Sequence, residues 1–335
     1  TIAVLRFRAA NEAVNVSRLG LTLTTGTSTS VTASSSPSDL RQVSIWDGAT
    51  QVGTATFTGG NANATSTLSS VVVLPKDADK DLTVKLDLEY VGSSYTGTQG
   101  SLIAIDSNAT SDSTGTQGTG VNSGTTINAT GSTAVSGIRL FKSFPTFALD
   151  TVATAGVADG VLMKFKVTAN SAGGIGLDQF KFTIASSTIT GVTAVNLFGY
   201  TDAAYSTGIS GFSSGQISTS NVAPITGGVV TIDPSAVINI PAGTMYYFKL
   251  SGTVSGVQTG SSVTTTLVGD SAYPSMAAAF VAGGTGMMVT SANAGANLVW
   301  SPNATTTSAA AHKDWTNGYG VVGLPSSGLI QTRSN

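Results

Sequence analysis

Residues 4–9, Val-Leu-Arg-Phe-Arg-Ala, alternate with a period of two that puts Arg6 and Arg8 on one face and Phe7 on the other. That is the pattern of a half-buried strand. Residues 19–24 alternate again and run into a loop of Ser, Thr and Gly at 25–38. Residues 43–46 and 51–58 flank Asp47-Gly48, which predicts a hairpin, because glycine supplies the positive φ that a tight turn needs. Residues 68–74 are a β-branched run stopped by Pro75, residues 82–90 carry apolar side chains at even positions, and 101–105 form a further short strand. No window of helical period with caps stands out.

The second half replays this order. Arg6-Phe7-Arg8 answers Lys164-Phe165-Lys166, and at one constant spacing Val16, Leu21 and Leu23 answer Ile175, Phe180 and Phe182. Residues 195–200 answer the Trp46 strand, and 229–240 before Pro241 answer 68–74 before Pro75. Residues 245–254 answer 82–90, 262–268 answer 101–105, and 297–300 predict a last strand. Short strands at regular spacing with turn signals between them predict an all-β chain of two tandem immunoglobulin-like β-sandwiches. The expected boundaries are an N-terminal sandwich over 1–135 including a Ser/Thr/Gly-rich linker at 106–135, a C-terminal sandwich over 136–300, and an extended tail over 301–335.

One element of the repeat is unmatched. An extended apolar segment, 138–149, precedes the second copy and is expected to cover core residues near Phe165, whereas Thr1 stands directly before the first copy. The first sandwich is therefore expected to lack its first strand, and the chain to be processed or truncated there. A sheet edge without its neighbour favours association.

Composition sharpens this picture. Charged residues make up 10% of the 335, against about 25% in an average soluble domain. Hydrophobic residues nevertheless reach 41%, so the chain can bury a core and carries a surface of hydroxyls and small side chains. The net charge of −2, with no basic run, gives nucleic acid no electrostatic footprint. The longest apolar stretch, 276–289, is interrupted by Gly283, Gly284 and Gly286 and is too short for a membrane span. With no cysteine, disulfides and thiolate metal sites are excluded. The Ser/Thr-rich surface and the sequons at Asn15, Asn63, Asn108, Asn128 and Asn303 point outside the cell, with those asparagines as glycosylation candidates.

Candidate chemistry is sparse. The single histidine, His312, lies near Asp314 in the tail, and the only glutamates are Glu12 and Glu89, so no catalytic pair is picked out and no enzyme is expected. Asp77, Asp79 and Asp81 have a spacing that could gather oxygen ligands around calcium, though Lys76 and Lys80 sit among them and the competing reading is a polar turn. No other cofactor is implied. Trp46, Trp300, Trp315 and the tyrosines could stack on sugars, with packing in a core or at an edge the favoured alternative.

Three stretches carry a resemblance: Leu5-Arg-Phe-Arg-Ala-Ala-Asn-Glu-Ala-Val-Asn-Val-Ser-Arg-Leu-Gly-Leu-Thr-Leu-Thr24; Leu298-Val-Trp-Ser-Pro-Asn-Ala-Thr-Thr-Thr-Ser308; and Asp314-Trp-Thr-Asn-Gly-Tyr-Gly320 followed by Gly323-Leu-Pro-Ser-Ser-Gly328. Together they resemble the secreted, Ser/Thr-rich, surface-layer-like or filament-forming proteins of small-genome candidate-phyla bacteria. The resemblance implies location and class and supplies no catalytic residues. The expectation is an extracellular structural subunit that polymerises with itself by strand complementation at the cell surface. Val4 and Phe7 would be on the receiving edge, and Trp315, Tyr319 and Leu324 in a donating tail; the alternative for the tail is that it wraps its own domain. The alternative function is an adhesin or a glycan-binding module.

Overall fold

The computed structural model describes residues 1–24, 36–92, 94–131, 135–189, 191–218, 228–273, 296–304 and 315–335. They are organised as two compact units, Thr1–Phe141 and Lys142–Asn335. The described helical turns are three short 3-10 segments, and every strand ladder is antiparallel.

The first unit runs β1 (Ala3–Arg8), β2 (Val14–Arg18), β3 (Gly20–Thr24), β4 (Leu40–Asp47), β5 (Thr50–Ala55), β6 (Asn63–Thr65), β7 (Thr67–Leu68), β8 (Val72–Leu74), β9 (Asp79–Leu88), β10 (Leu102–Ser107), β11 (Gln117–Gly120), β12 (Thr126–Asn128) and β13 (Ile138–Arg139). One sheet has the order β1-β9-β4-β5-β7. Opposite it, β2 lies between β11 and β8, and β3 between β10 and β6. Alternation closes the sandwich: Leu5, Val43, Ile45, Leu82 and Val84 of the first sheet form one core with Val14, Val16, Leu21 and Ile105 of the other.

The second unit runs β14 (Pro145–Leu149), β15 (Val161–Ala169), β16 (Ile175–Ser187), β17 (Gly191–Tyr200), β18 (Val229–Ile232), β19 (Ile238–Ile240), β20 (Met245–Ser255), β21 (Ser262–Leu267), β22 (Leu298–Ser301), β23 (Thr316–Asn317) and β24 (Leu329–Ser334). Its first sheet has the order β14-β15-β20-β17; its second is centred on β16, which pairs with β18, β19, β21 and β22. Phe165 and Phe248 from one sheet stack at 5.1 Å between ring centroids, and Phe180 and Phe182 of β16 pack on Phe165 from the other.

The two units repeat one topology, but the register differs from the sequence match. Val14 pairs with Leu74 just before Pro75, and Ile175 pairs with Ile240 just before Pro241. Each copy then has a bulge, at Ser17 and at Asp178. Beyond it the Gly20 carbonyl accepts from the Asn108 amide as the Lys181 carbonyl accepts from Val268. Leu19, Leu21 and Leu23 therefore correspond to Phe180, Phe182 and Ile184. Likewise Asp79 and Met245, each four residues past its proline, pair with Arg8 and Thr168, so Phe7 corresponds to Val167 and Leu5 to Phe165. The sequence match was displaced by two residues along β1 and β3, a slip that leaves every side chain on its own face and so is invisible to alternation.

Two boundaries also change. Residues 106–135 are not a linker: β11 and β12 lie within them, and β11 pairs with β2. The division between the units falls after Phe141, because β13 pairs with β10 of the first unit while β14 opens the second. The tail is not extended either. β24 completes the second sheet against β21, and Arg333, 1% exposed, donates to the carbonyls of Ala153, Ala155 and Val161 and to the Asp159 carboxylate. Asp270 ties Asn297, Leu298 and Gly318 to the same unit by accepting from their amides. Burial raises its carboxyl above the usual range despite those three donors.

Candidate functional site

The edge that distinguishes the two units is the one beside β1 and β15. In the second unit β15 has β20 on one side and β14 on the other, with Pro145, Phe147 and Leu149 opposite Ala169, Val167 and Phe165. Phe147 is 2% exposed and stacks on Phe165 at 6.3 Å. The far side of β14 is closed too: the Phe147 amide donates to the Val322 carbonyl at 2.9 Å. Gly323 makes this possible, since at φ +77° a Cβ there would run into the Phe147 carbonyl oxygen.

In the first unit β1 has β9 on one side, and on the other no strand among the described residues. A groove runs along that free edge. One stretch, of about 550 Å³, lies between Val4–Phe7 and Ala129–Gly131 with Val135; an adjoining stretch of about 500 Å³ lies between residues 6–10 and Thr116–Gly118, with Ile127 and Thr130. Its floor includes Phe7, Val14, Val16 and Leu74, residues of the sandwich core and its margin. The groove thus occupies the position that β14 fills in the other copy, between the first sheet and the segment that follows β12.

The expected receiving residues lie on this strand. Val4 is 56% exposed on its outer face, and Phe7 is half-buried against the core. The expected donating residues do not lie in a free tail. Trp315 is 3% exposed beside Val299, and Leu324 is 2% exposed, leaving only Tyr319 at the surface at 43%. The described part of the tail, residues 301–304 and 315–335, is held by its own domain.

The three aspartates do not converge. Asp77 occupies the turn with φ 57°, while Asp79 and Asp81 lie along β9, where they accept from Arg8 and Arg6 across the strand pair. Hydrogen bonding by Arg6 holds the Asp81 carboxyl below the ordinary carboxylate range. Among the described residues no three acidic or histidine side chains gather into a metal-sized cluster. The calcium reading gives way to a polar turn and a ladder of cross-strand ion pairs, which the sequence reading missed by treating the arginines and aspartates separately.

The sequons divide by exposure. Asn63 and Asn128 are exposed, and Asn15 and Asn303 are half-buried. Asn108 is buried, donating through Nδ2 to Thr114, and offers no surface for a glycan. His312 and the apolar stretch 276–289 lie outside the described residues. Glu12 caps the turn at Asn122 and Ser123. Tyr90, Tyr95 and Tyr319 are exposed, whereas other aromatic rings are engaged internally. Lys85 sits over Trp46 at 3.7 Å, Trp300 donates to the Asn317 carbonyl, and Tyr205 lies beneath Lys164 with its hydroxyl on Asp150.

No protein-family model matches the chain, and no curated protein matches its sequence. Among solved structures it is similar to the structure described as manganese lipoxygenase of Gaeumannomyces graminis and partial zonadhesin of Komagataella pastoris, with 12% identity, 80% of each chain covered and a TM-score of 0.16. It is similar to the serine-rich repeat adhesion glycoprotein of Streptococcus agalactiae, with 11% identity, 79% and 82% covered and a TM-score of 0.17. It is also similar to the collagen adhesin of S. aureus, with 13% identity, 79% and 84% covered and a TM-score of 0.14. At TM-scores this low the likenesses carry no argument about this chain.

Proposed function

We propose that this chain is an extracellular structural subunit that associates with copies of itself through the free edge of β1. One observation carries the reading: the first unit holds an open groove where its own internal repeat holds a strand. An unpaired strand edge with apolar side chains behind it recruits another strand, whose main chain supplies the missing hydrogen bonds. A copy that donates to one neighbour and accepts from another makes a heterologous contact, which propagates into a filament or lattice. Location outside the cell is supported by the composition, with few charges and abundant Ser and Thr, and by the exposed sequons at Asn63 and Asn128.

The test is the size of the purified chain as its concentration rises at physiological salt, read by light scattering and electron microscopy. Growing fibres or sheets, abolished by Phe7→Asp with both units still folded by circular dichroism, are the expected result. A chain that stays monomeric and is retained on polysaccharide would replace this reading with glycan binding.

A further inference from the structure

The repeat also specifies the strand that fits the groove. In the second unit three alternate rungs between β14 and β15, those on the face of Phe147, pair unequal side chains: Pro145 opposite Ala169, aromatic Phe147 opposite Val167, and aliphatic Leu149 opposite aromatic Phe165. The corresponding residues of the first unit are Leu5 and Phe7 of β1 and Ala9 just beyond it. The aromatic ring has changed rung. Phe7 stands where Val167 stands, and Leu5 where Phe165 stands. Because interiors are close-packed, the space left on each rung is the complement of the residue already there.

Resting on the assembly reading above, we infer that the groove takes one extended strand of a neighbouring copy that runs antiparallel to β1 with a reversed order of sizes. A small residue or proline faces Ala9, a branched aliphatic faces Phe7, and an aromatic faces Leu5. On its outer side this strand meets the backbone of Ala129–Gly131, as β14 meets Val322. The two intervening residues lie on the face of Arg6 and Arg8, whose guanidiniums are already paired with Asp81 and Asp79. Small polar residues suit those positions, as Thr146 and Ala148 do in β14.

Two peptides spanning residues 143–150 test this on the full chain. One has the native sequence, and the other carries Phe147→Val together with Leu149→Phe. The size-reversed peptide is expected to bind at least tenfold more tightly and to block self-association, since a large residue forced against Phe7 overpacks its rung. Hydrogen exchange should then slow in Val4–Ala9 and Ala129–Gly131 together. Equal binding, tighter binding of the native peptide, or protection elsewhere would overturn the size rule. If neither peptide binds while the chain still assembles, the inferred strand is wrong and the assembly reading stands. If neither binds and the chain remains monomeric, both fall.

Discussion

Replacing Phe147 by alanine would convert the filled slot of the second unit into an open one. The side chain is 2% exposed and stacks on Phe165, while the β14 backbone stays paired with β15 and Val322. Truncating a buried Phe costs about 3–5 kcal/mol, the larger values arising where the site cannot collapse. Here Gly323 already lies against the Phe147 backbone, and the bulky Phe165, Phe180 and Phe248 rings brace one another, so little relaxation is available. The upper half of the range is expected. At about 2–4 °C per kcal/mol for a domain of this size, the melting temperature of the second unit should fall by roughly 8–20 °C. Calorimetry of the full chain reads this directly, because the first unit's transition should remain in place. A loss below about 1 kcal/mol, or an equal shift of both transitions, would refute the claim that β14 is an integral strand, one with no counterpart among the described residues of the first unit.

Arg333→Met should cost about 3–5 kcal/mol and release β24, because three carbonyls lose their donor, and a urea melt of the second unit reads it. Burial pulls the Asp159 carboxyl upward, but the Arg333 guanidinium and the Val161 amide outweigh that and hold it below its ordinary value. Its contribution to stability is thus present above pH of about 4 and lost as the pH falls through the depressed value, so Asp159→Asn should flatten the acid limb of the second unit's stability curve. Adding calcium or EDTA should leave the first unit's melting unchanged, since Asp79 and Asp81 are committed to Arg8 and Arg6; a calcium-dependent rise would contradict that geometry.

Strands with alternating apolar residues were legible in the sequence: β1, β4, β9, β15 and β20 all lie where alternation placed them. β14 was legible too, as a plain apolar run ahead of the second copy. Register was not, since a slip of two residues preserves the alternation that revealed the repeat. β11 was hidden because its buried positions are Gly118 and Gly120. A Cβ at Gly118 would meet the Asn15 carbonyl oxygen at 2.7 Å, so the close approach of two backbones leaves no room for a side chain there. β24 was hidden for a related reason: the buried side chain near its end is an arginine, which reads as surface until its carbonyl partners are known. The far wall of the groove at Ala129–Gly131 lay in a stretch whose polarity disguised it as a linker.

Hydrogen exchange of the β1 amides, compared between assembled and dissociated chain, tests the central claim most directly. The account predicts that amides within Ala3–Arg8 that exchange readily in the dissociated chain become protected on assembly, together with those of Ala129–Gly131, while β15 is protected in both states. Assembly that leaves β1 exchanging as freely as before would contradict it.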